Sequence, residues 1–180
     1  MRKILAFGAS SSSRSINKRF AHFAATRIPD AEVQLLDLND FEMPIFSVDR
    51  EETDGIPELA YRFKEHIKQS DALVISFAEH NGAYAAAFKN IMDWISRIKE
   101  GSTWEDKPML LLATSPGGRG GRTVLDIATN KFRFMSKGPI VSFSLPSFGQ
   151  NFSEADGITD AGLRAEFNLE LEAFQSQAWP

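Results

Sequence analysis

Three glycine- or serine-rich turns, each following a short apolar run, constrain this chain more than any other feature. Residues 4–7 run into Gly8-Ala9-Ser10-Ser11-Ser12-Ser13-Arg14-Ser15-Ile16-Asn17. Residues 73–77 run into Ala78-Glu79-His80-Asn81-Gly82, and residues 110–114 into Ser115-Pro116-Gly117-Gly118-Arg119-Gly120-Gly121. In an open parallel sheet, loops leaving the carboxyl ends of neighbouring strands converge on one crevice, where ligands bind. Three such loops predict one composite site: a phosphate cradle and two walls rich in exposed backbone.

The apolar pattern between the turns supplies the sheet. Residues 3–8, 33–38, 71–77, 108–114 and 139–145 read as strands, with 71–77 a near-continuous apolar run of the kind buried on both faces. Helical stripes alternate with them. Ile16, Phe20, Phe23 and Ala24 mark a helix over 17–27. Leu59, Phe63 and Ile67 mark one beginning at Pro57, whose missing N–H costs little in a first turn. Phe88, Ile91, Met92, Ile95 and Ile98 mark a helix over 84–98. A further helix spans 122–135, and Leu163, Phe167, Leu171 and Phe174 mark the last, over 159–175. Residues 41–55, with Pro44 and the acids Asp49, Glu51, Glu52 and Asp54, read as a long loop. Five strands alternating with helices predict an α/β fold with a parallel sheet between two helical layers. No linker or repeat divides residues 1–180, so a single domain is expected.

Composition narrows the chemistry. A net charge of −4 disfavours a nucleic-acid partner held through phosphates. The chain has no cysteine, which removes thiolate metal sites and thiol nucleophiles. No stretch approaches the roughly 20 apolar residues that span a bilayer, so the expectation is a soluble, cytoplasmic protein with no membrane partner. The first loop lacks both the Gly-Lys-Ser/Thr of a nucleoside-triphosphate loop and the spaced glycines of a dinucleotide fingerprint. Its serine hydroxyls and helix-start N–H groups suit a phosphomonoester. The same residues also fit a plainer role, with Ser15 as helix cap and the other serines filling a turn. Glu79-His80-Asn81-Gly82 either presents backbone to a flat heterocycle or forms an ordinary turn with Asn81 as the cap of the next helix.

Taken in order, the three loops resemble those of the NADPH-dependent FMN reductase family, the flavodoxin-like quinone, azo-dye and flavin reductases. The family's first loop runs Gly-Ser-x-Arg-x-x-Ser-x-Asn, against Gly8 to Asn17 here. Its second runs Pro-Glu-Tyr-Asn and then Leu-Lys-Asn-x-x-Asp-Trp, against Ala78-Glu79-His80-Asn81 and Phe88-Lys89-Asn90-Ile91-Met92-Asp93-Trp94. Its third runs Ser-Pro-Gly with further glycines. The resemblance implies a flavodoxin-like sheet of order 2-1-3-4-5 and FMN and NAD(P)H as cofactors. It implies Ser10, Ser15, Ile16 and Asn17 around the FMN phosphate. Glu79, His80, Asn81 and Gly82, with Ser115, Pro116, Gly117, Gly118 and Gly121, then line the isoalloxazine. Ala78 stands where the family has proline and His80 where it has tyrosine.

The activity so implied is hydride transfer from nicotinamide through the flavin to a quinone, flavin, azo compound or similar small acceptor. A flavodoxin-type electron carrier and a flavin-free interaction protein are the alternatives. The resemblance also implies a homodimer or tetramer; Trp94 on the 84–98 helix is either core or the anchor of that interface, and the resemblance favours the anchor. The remaining titratable groups have structural expectations. Lys89 and Asp93 pair at helical spacing. His22 and His66 sit on helices without a second ligand, and Glu79 caps a turn. Arg119 is a solvated loop residue, or a partner for reduced flavin or an NADPH phosphate.

Overall fold

The structure, a computed structural model, describes residues 1–180. In chain order its main elements are β1 (Arg2–Ala9), α1 (Ile16–Ala25), β2 (Ala31–Leu36), α2 (Val48–Asp54), α3 (Glu58–Gln69) and β3 (Ala72–Phe77). They continue with α4 (Ala86–Ile95), β4 (Met109–Thr114), α5 (Arg122–Met135), β5 (Ile140–Leu145), α6 (Phe148–Asn151) and α7 (Ala161–Ala178). The five strands form one parallel sheet in the order β2-β1-β3-β4-β5, the flavodoxin-like arrangement.

Strand alternation sends successive side chains to opposite faces. Leu5, Phe7, Leu73, Ile75 and Leu111 meet α3, α4 and α5 on one side. Ile4, Ala6, Val74, Leu110 and Leu112 meet α1 and α7 on the other. Covered on both faces, β3 and β4 are buried at every position. Phe7, Phe63, Phe77 and Phe88 interlock in the first core, and Phe20, Phe143 and Phe167 in the second. Each such ring stabilises by about 1.5–3 kcal/mol relative to exposure. Gly8 lets α1 lie directly on the end of β1. A Cβ there would overlap the Lys18 backbone N and come within 2.7 Å of Lys18 Cα.

Four departures from the sequence reading stand out. The expected 41–55 loop contains α2, capped by Ser47 and closed by Gly55 at φ 78°. None of its residues is buried, so no apolar period betrayed it. The helix expected from residue 84 starts at Ala86. Before it, Glu79–His80 and Ala83–Tyr84 pair as a two-residue hairpin. Asn81 (φ 53°) and Gly82 (φ 75°) turn that hairpin, so Asn81 caps no helix; the α4 cap is Ala85. The last helix runs on to Ala178.

Trp94 is the fourth departure. It is 1% exposed and lies in the core of its own chain. Its Nε1 donates to the Pro44 carbonyl at 2.7 Å, and Phe46 meets its ring edge-on. The segment around Pro44 folds over α4 and covers the side of the helix that the sequence reading assigned to a partner. No helix is long and apolar enough to cross a membrane.

Candidate functional site

Register brings the loops together. Ala9 pairs with Phe77, Phe77 with Ala113, and Thr114 with Leu145, so β1, β3, β4 and β5 end along one edge. There a crevice of about 290 Å³ is walled by the first loop from Ser10 to Asn17, the second from Ala78 to His80, and the third from Thr114 to Pro116.

The first loop is shaped by its own hydroxyls. Ser10 Oγ accepts from the Ser12 N–H (3.1 Å), and Ser12 Oγ from the Arg14 N–H (3.3 Å). Ser15 Oγ, the α1 cap, accepts from the Lys18 N–H (3.1 Å). Each of these oxygens is used as an acceptor while its own hydrogen stays free to donate outward. The N–H groups of Ile16 and Asn17, first in α1, find no acceptor in the chain. This is a donor set with no competing carboxylate in the loop, and it fits a phosphate dianion.

Charge follows the same division. Lys18 is committed to Asp37 at 2.6 Å, and that hydrogen bond, helped by the Asn39 N–H, holds the Asp37 carboxyl below the usual carboxylate range. Arg14 stays exposed and has no carboxylate partner. It is the cation available at the cradle.

Asn17 does a different job. It is 3% exposed; its Oδ1 accepts from Ser76 Oγ (2.7 Å) and the Thr114 N–H (3.1 Å), and its Nδ2 donates to the Thr114 carbonyl (3.2 Å). One amide thereby ties α1 to β3 and β4 beneath the crevice. It sets the position of the cradle more than it supplies donors to it.

The second and third loops are joined from outside. Glu79 Oε2 accepts from the Val124 N–H at 3.0 Å, capping α5, whose own N-cap, Gly121, offers no side chain. The carboxylate is thus a capping group. Tyr84, at the hairpin's base between Phe77 and Phe88, has no partner for its buried hydroxyl; burial pushes its pKa up to about 12. The third loop is strapped to the chain after β5. The Ser115 carbonyl accepts from the Phe148 N–H (3.0 Å), and the Gly117 carbonyl from the Ser147 N–H (2.9 Å). Gly120 (φ 59°) packs so tightly there that a Cβ would lie 2.9 Å from the Pro146 N.

Ser10, Ser15, Ile16, Asn17, Glu79, His80, Ser115 and Pro116 therefore share one crevice. Asn81, Gly82, Gly117 and Gly118 lie outside its lining, and buried Gly121 backs onto Ala113. Thr114 lines it without having been singled out, and so does Ala78, noted in the sequence only as the replacement of the family's proline. Asn90, whose Oδ1 accepts from the Phe46 N–H (2.8 Å) and whose Nδ2 donates to the Met43 carbonyl (3.0 Å), pins the strap over α4. The Lys89–Asp93 pair forms at 2.6 Å.

A flavodoxin-like sheet with unpaired donors gathered at its carboxyl edge is the class of scaffold that takes ligands where its strands end. The profile of the NADPH-dependent FMN reductase family matches residues 2–150, and the chain belongs to that family. It is 35% identical over 107 residues to a 2-hydroxy-1,4-benzoquinone reductase of Burkholderia sp, covering 59% of this chain and 56% of that protein. It is 28% identical over 176 residues to an NAD(P)H-dependent FMN reductase of Pseudomonas aeruginosa, covering 96% and 93%. An Arabidopsis thaliana NADPH:quinone oxidoreductase aligns over 53% of this chain and 47% of its own, so the match spans about half of this relative and of the Burkholderia one. In fold, the chain superposes on a flavoenzyme NAD(P)H:(acceptor) oxidoreductase of Paracoccus denitrificans with TM-score 0.75 at 22% identity, covering 99% and 97%.

Proposed function

We propose that this chain is an FMN-dependent NAD(P)H oxidoreductase that reduces quinones, free flavin, azo compounds or similar small acceptors. The observation that carries the reading is the single crevice in which unpaired hydroxyl and N–H donors face two backbone-rich loops at the sheet's carboxyl edge. Bound FMN supplies hydride acceptance from nicotinamide and delivery to the acceptor.

The protein's part is binding and orientation. The hydroxyls of Ser10 and Ser15, the N–H groups of Ile16 and Asn17, and Arg14 hold the phosphate. Glu79–His80 and Ser115–Pro116 flank the ring. Hydride transfer asks no proton of the protein, and a proton for the reduced acceptor comes from water. Exposed His80 accordingly serves as a pocket wall.

The reading extends to a single-domain protein of the cytoplasm that assembles as a homodimer or tetramer.

The test is the absorption spectrum of the purified protein followed by steady-state NADPH consumption with a quinone. A flavin spectrum and continuous turnover are expected. A protein that binds no added FMN overturns the reading. One that takes FMN but consumes no NADPH is a carrier or a binding module.

A further inference from the structure

The second and third loops give the crevice six lining residues: Ala78, Glu79, His80, Thr114, Ser115 and Pro116. What each can still offer a ligand follows from what it already holds. Ala78 and Pro116 bear no polar side chain. Thr114 Oγ1 donates to the Leu145 carbonyl at 2.6 Å, and Ser115 Oγ to the Gly117 carbonyl at 3.1 Å, so both hydroxyl hydrogens are spent. The Glu79 carboxylate sits on the Val124 N–H and has no hydrogen to give. That leaves His80. Its side chain is exposed and has no hydrogen-bond or ion-pair partner in the chain.

The hairpin presents this free side chain in a fixed direction. His80 pairs with Ala83 beside a tight turn closed by Asn81 (φ 53°) and Gly82 (φ 75°). Successive side chains of a strand point to opposite faces, so the tie from Glu79 to α5 leaves His80 on the other face of the hairpin. An imidazole carries an N–H donor whether neutral or protonated. When a hydride adds to a quinone, its electron pair and hydrogen leave one oxygen anionic, and water then gives the proton that completes the hydroquinone. An N–H aimed at that oxygen gains strength as the charge develops, so it speeds reduction beyond what it adds to binding. We propose that His80, the one uncommitted side-chain donor on these two walls of the crevice, hydrogen-bonds the acceptor oxygen on which charge develops and so sets a preference for acceptors bearing a ring carbonyl. This rests on the reductase reading above.

The experiment measures kcat/KM of the FMN-saturated protein, with NADPH as donor, for 1,4-benzoquinone and for ferricyanide, which takes electrons without a carbonyl to seat. His80→Phe keeps a flat ring without a donor, and His80→Gln keeps a neutral N–H without the ring. The expected quinone-to-ferricyanide ratio falls at least about tenfold in His80→Phe and stays within about threefold of the unaltered protein in His80→Gln. An unchanged ratio, or an equal fall for both acceptors, in a variant that still turns over overturns the role of His80 and leaves the reductase reading intact. A second readout needs no turnover. 4-Hydroxybenzaldehyde, a ring-borne carbonyl that is not a quinone, should shift the imidazole NMR signals that vanish in His80→Phe and leave those of His22 and His66 in place. Signals of all three histidines unmoved by the probe overturn the contact. A shift confined to His80 in a protein that consumes no NADPH with either acceptor supports the contact and overturns the reductase reading instead.

Discussion

The first and third loops do the same topological work and are held in opposite ways. Each leaves the carboxyl end of a buried strand and enters a helix. Apart from Asn17, the 10–17 loop closes its hydrogen bonds on itself and on the first turn of α1: Ser10 on Ser12, Ser12 on Arg14, Ser15 on Lys18. The 115–121 loop closes two locally, Ser115 Oγ and the Gly120 N–H both donating to the Gly117 carbonyl, and takes its other support from outside. Its helix is capped by Glu79 from another loop, and its carbonyls are met by Ser147 and Phe148 from beyond β5. Hydroxyls of short side chains fold back on neighbouring backbone, so a serine-rich loop can be self-supporting. Glycines offer no such groups, so a glycine-rich loop takes its shape from what surrounds it.

The hardest blow to this contrast falls on Asn17, the one long-range brace of the first loop. Asn17→Ala strands a buried Ser76 hydroxyl and both backbone groups of Thr114. The expected loss is about 3 kcal/mol, or a Tm lower by roughly 6–12 °C, measured by thermal melting. A loss under about 1 kcal/mol would mean the first loop needs no support from β3 and β4. The two helix caps give a finer comparison. Ser15→Ala and Glu79→Ala should each cost about 1 kcal/mol. Hydrogen exchange separates them: Ser15→Ala exposes the Lys18 amide alone, whereas Glu79→Ala exposes the Val124 amide and loosens the 79–84 hairpin with it. Equal and local effects in both would erase the difference between the loops.

The smallest expected effect is at Asp37, whose ion pair keeps Lys18 away from the cradle. The folded carboxyl titrates below its unfolded value of 3.8, so its stabilisation is present above that pH and lost as pH falls through the folded value. Asp37→Asn should lower stability near neutrality by less than about 1 kcal/mol, with the two unfolding curves converging in acid. A gap that persists at low pH would assign the effect to packing.

Much of the fold was legible because it rests on local period. Apolar runs gave five strands and the stripes through Phe63, Phe88 and Phe167 gave the helices that cover them, with the order of the sheet following from the family resemblance. The site was legible where groups act on near neighbours, as in the cap at Ser15 or the pair Lys89–Asp93. What escaped notice has no local signature. Helix α2 buries nothing and so shows no stripe. The hairpin hides in Asn81-Gly82, residue types that serve a tight reversal at positive φ as readily as a helix start at negative φ.

The sequence by itself determined the layered sheet, the edge on which its loops gather and the hydroxyl-rich character of the first of them, since all three follow from periodicity and side-chain chemistry read along the chain. Tertiary structure decided that Asn17 is a brace, that Glu79 caps a helix 45 residues away, and that Trp94 lies in its own chain's core beneath Pro44. Each of those roles belongs to a polar group whose partner is distant in sequence. A buried donor or acceptor must find such a partner, but only the packed chain determines which one it finds.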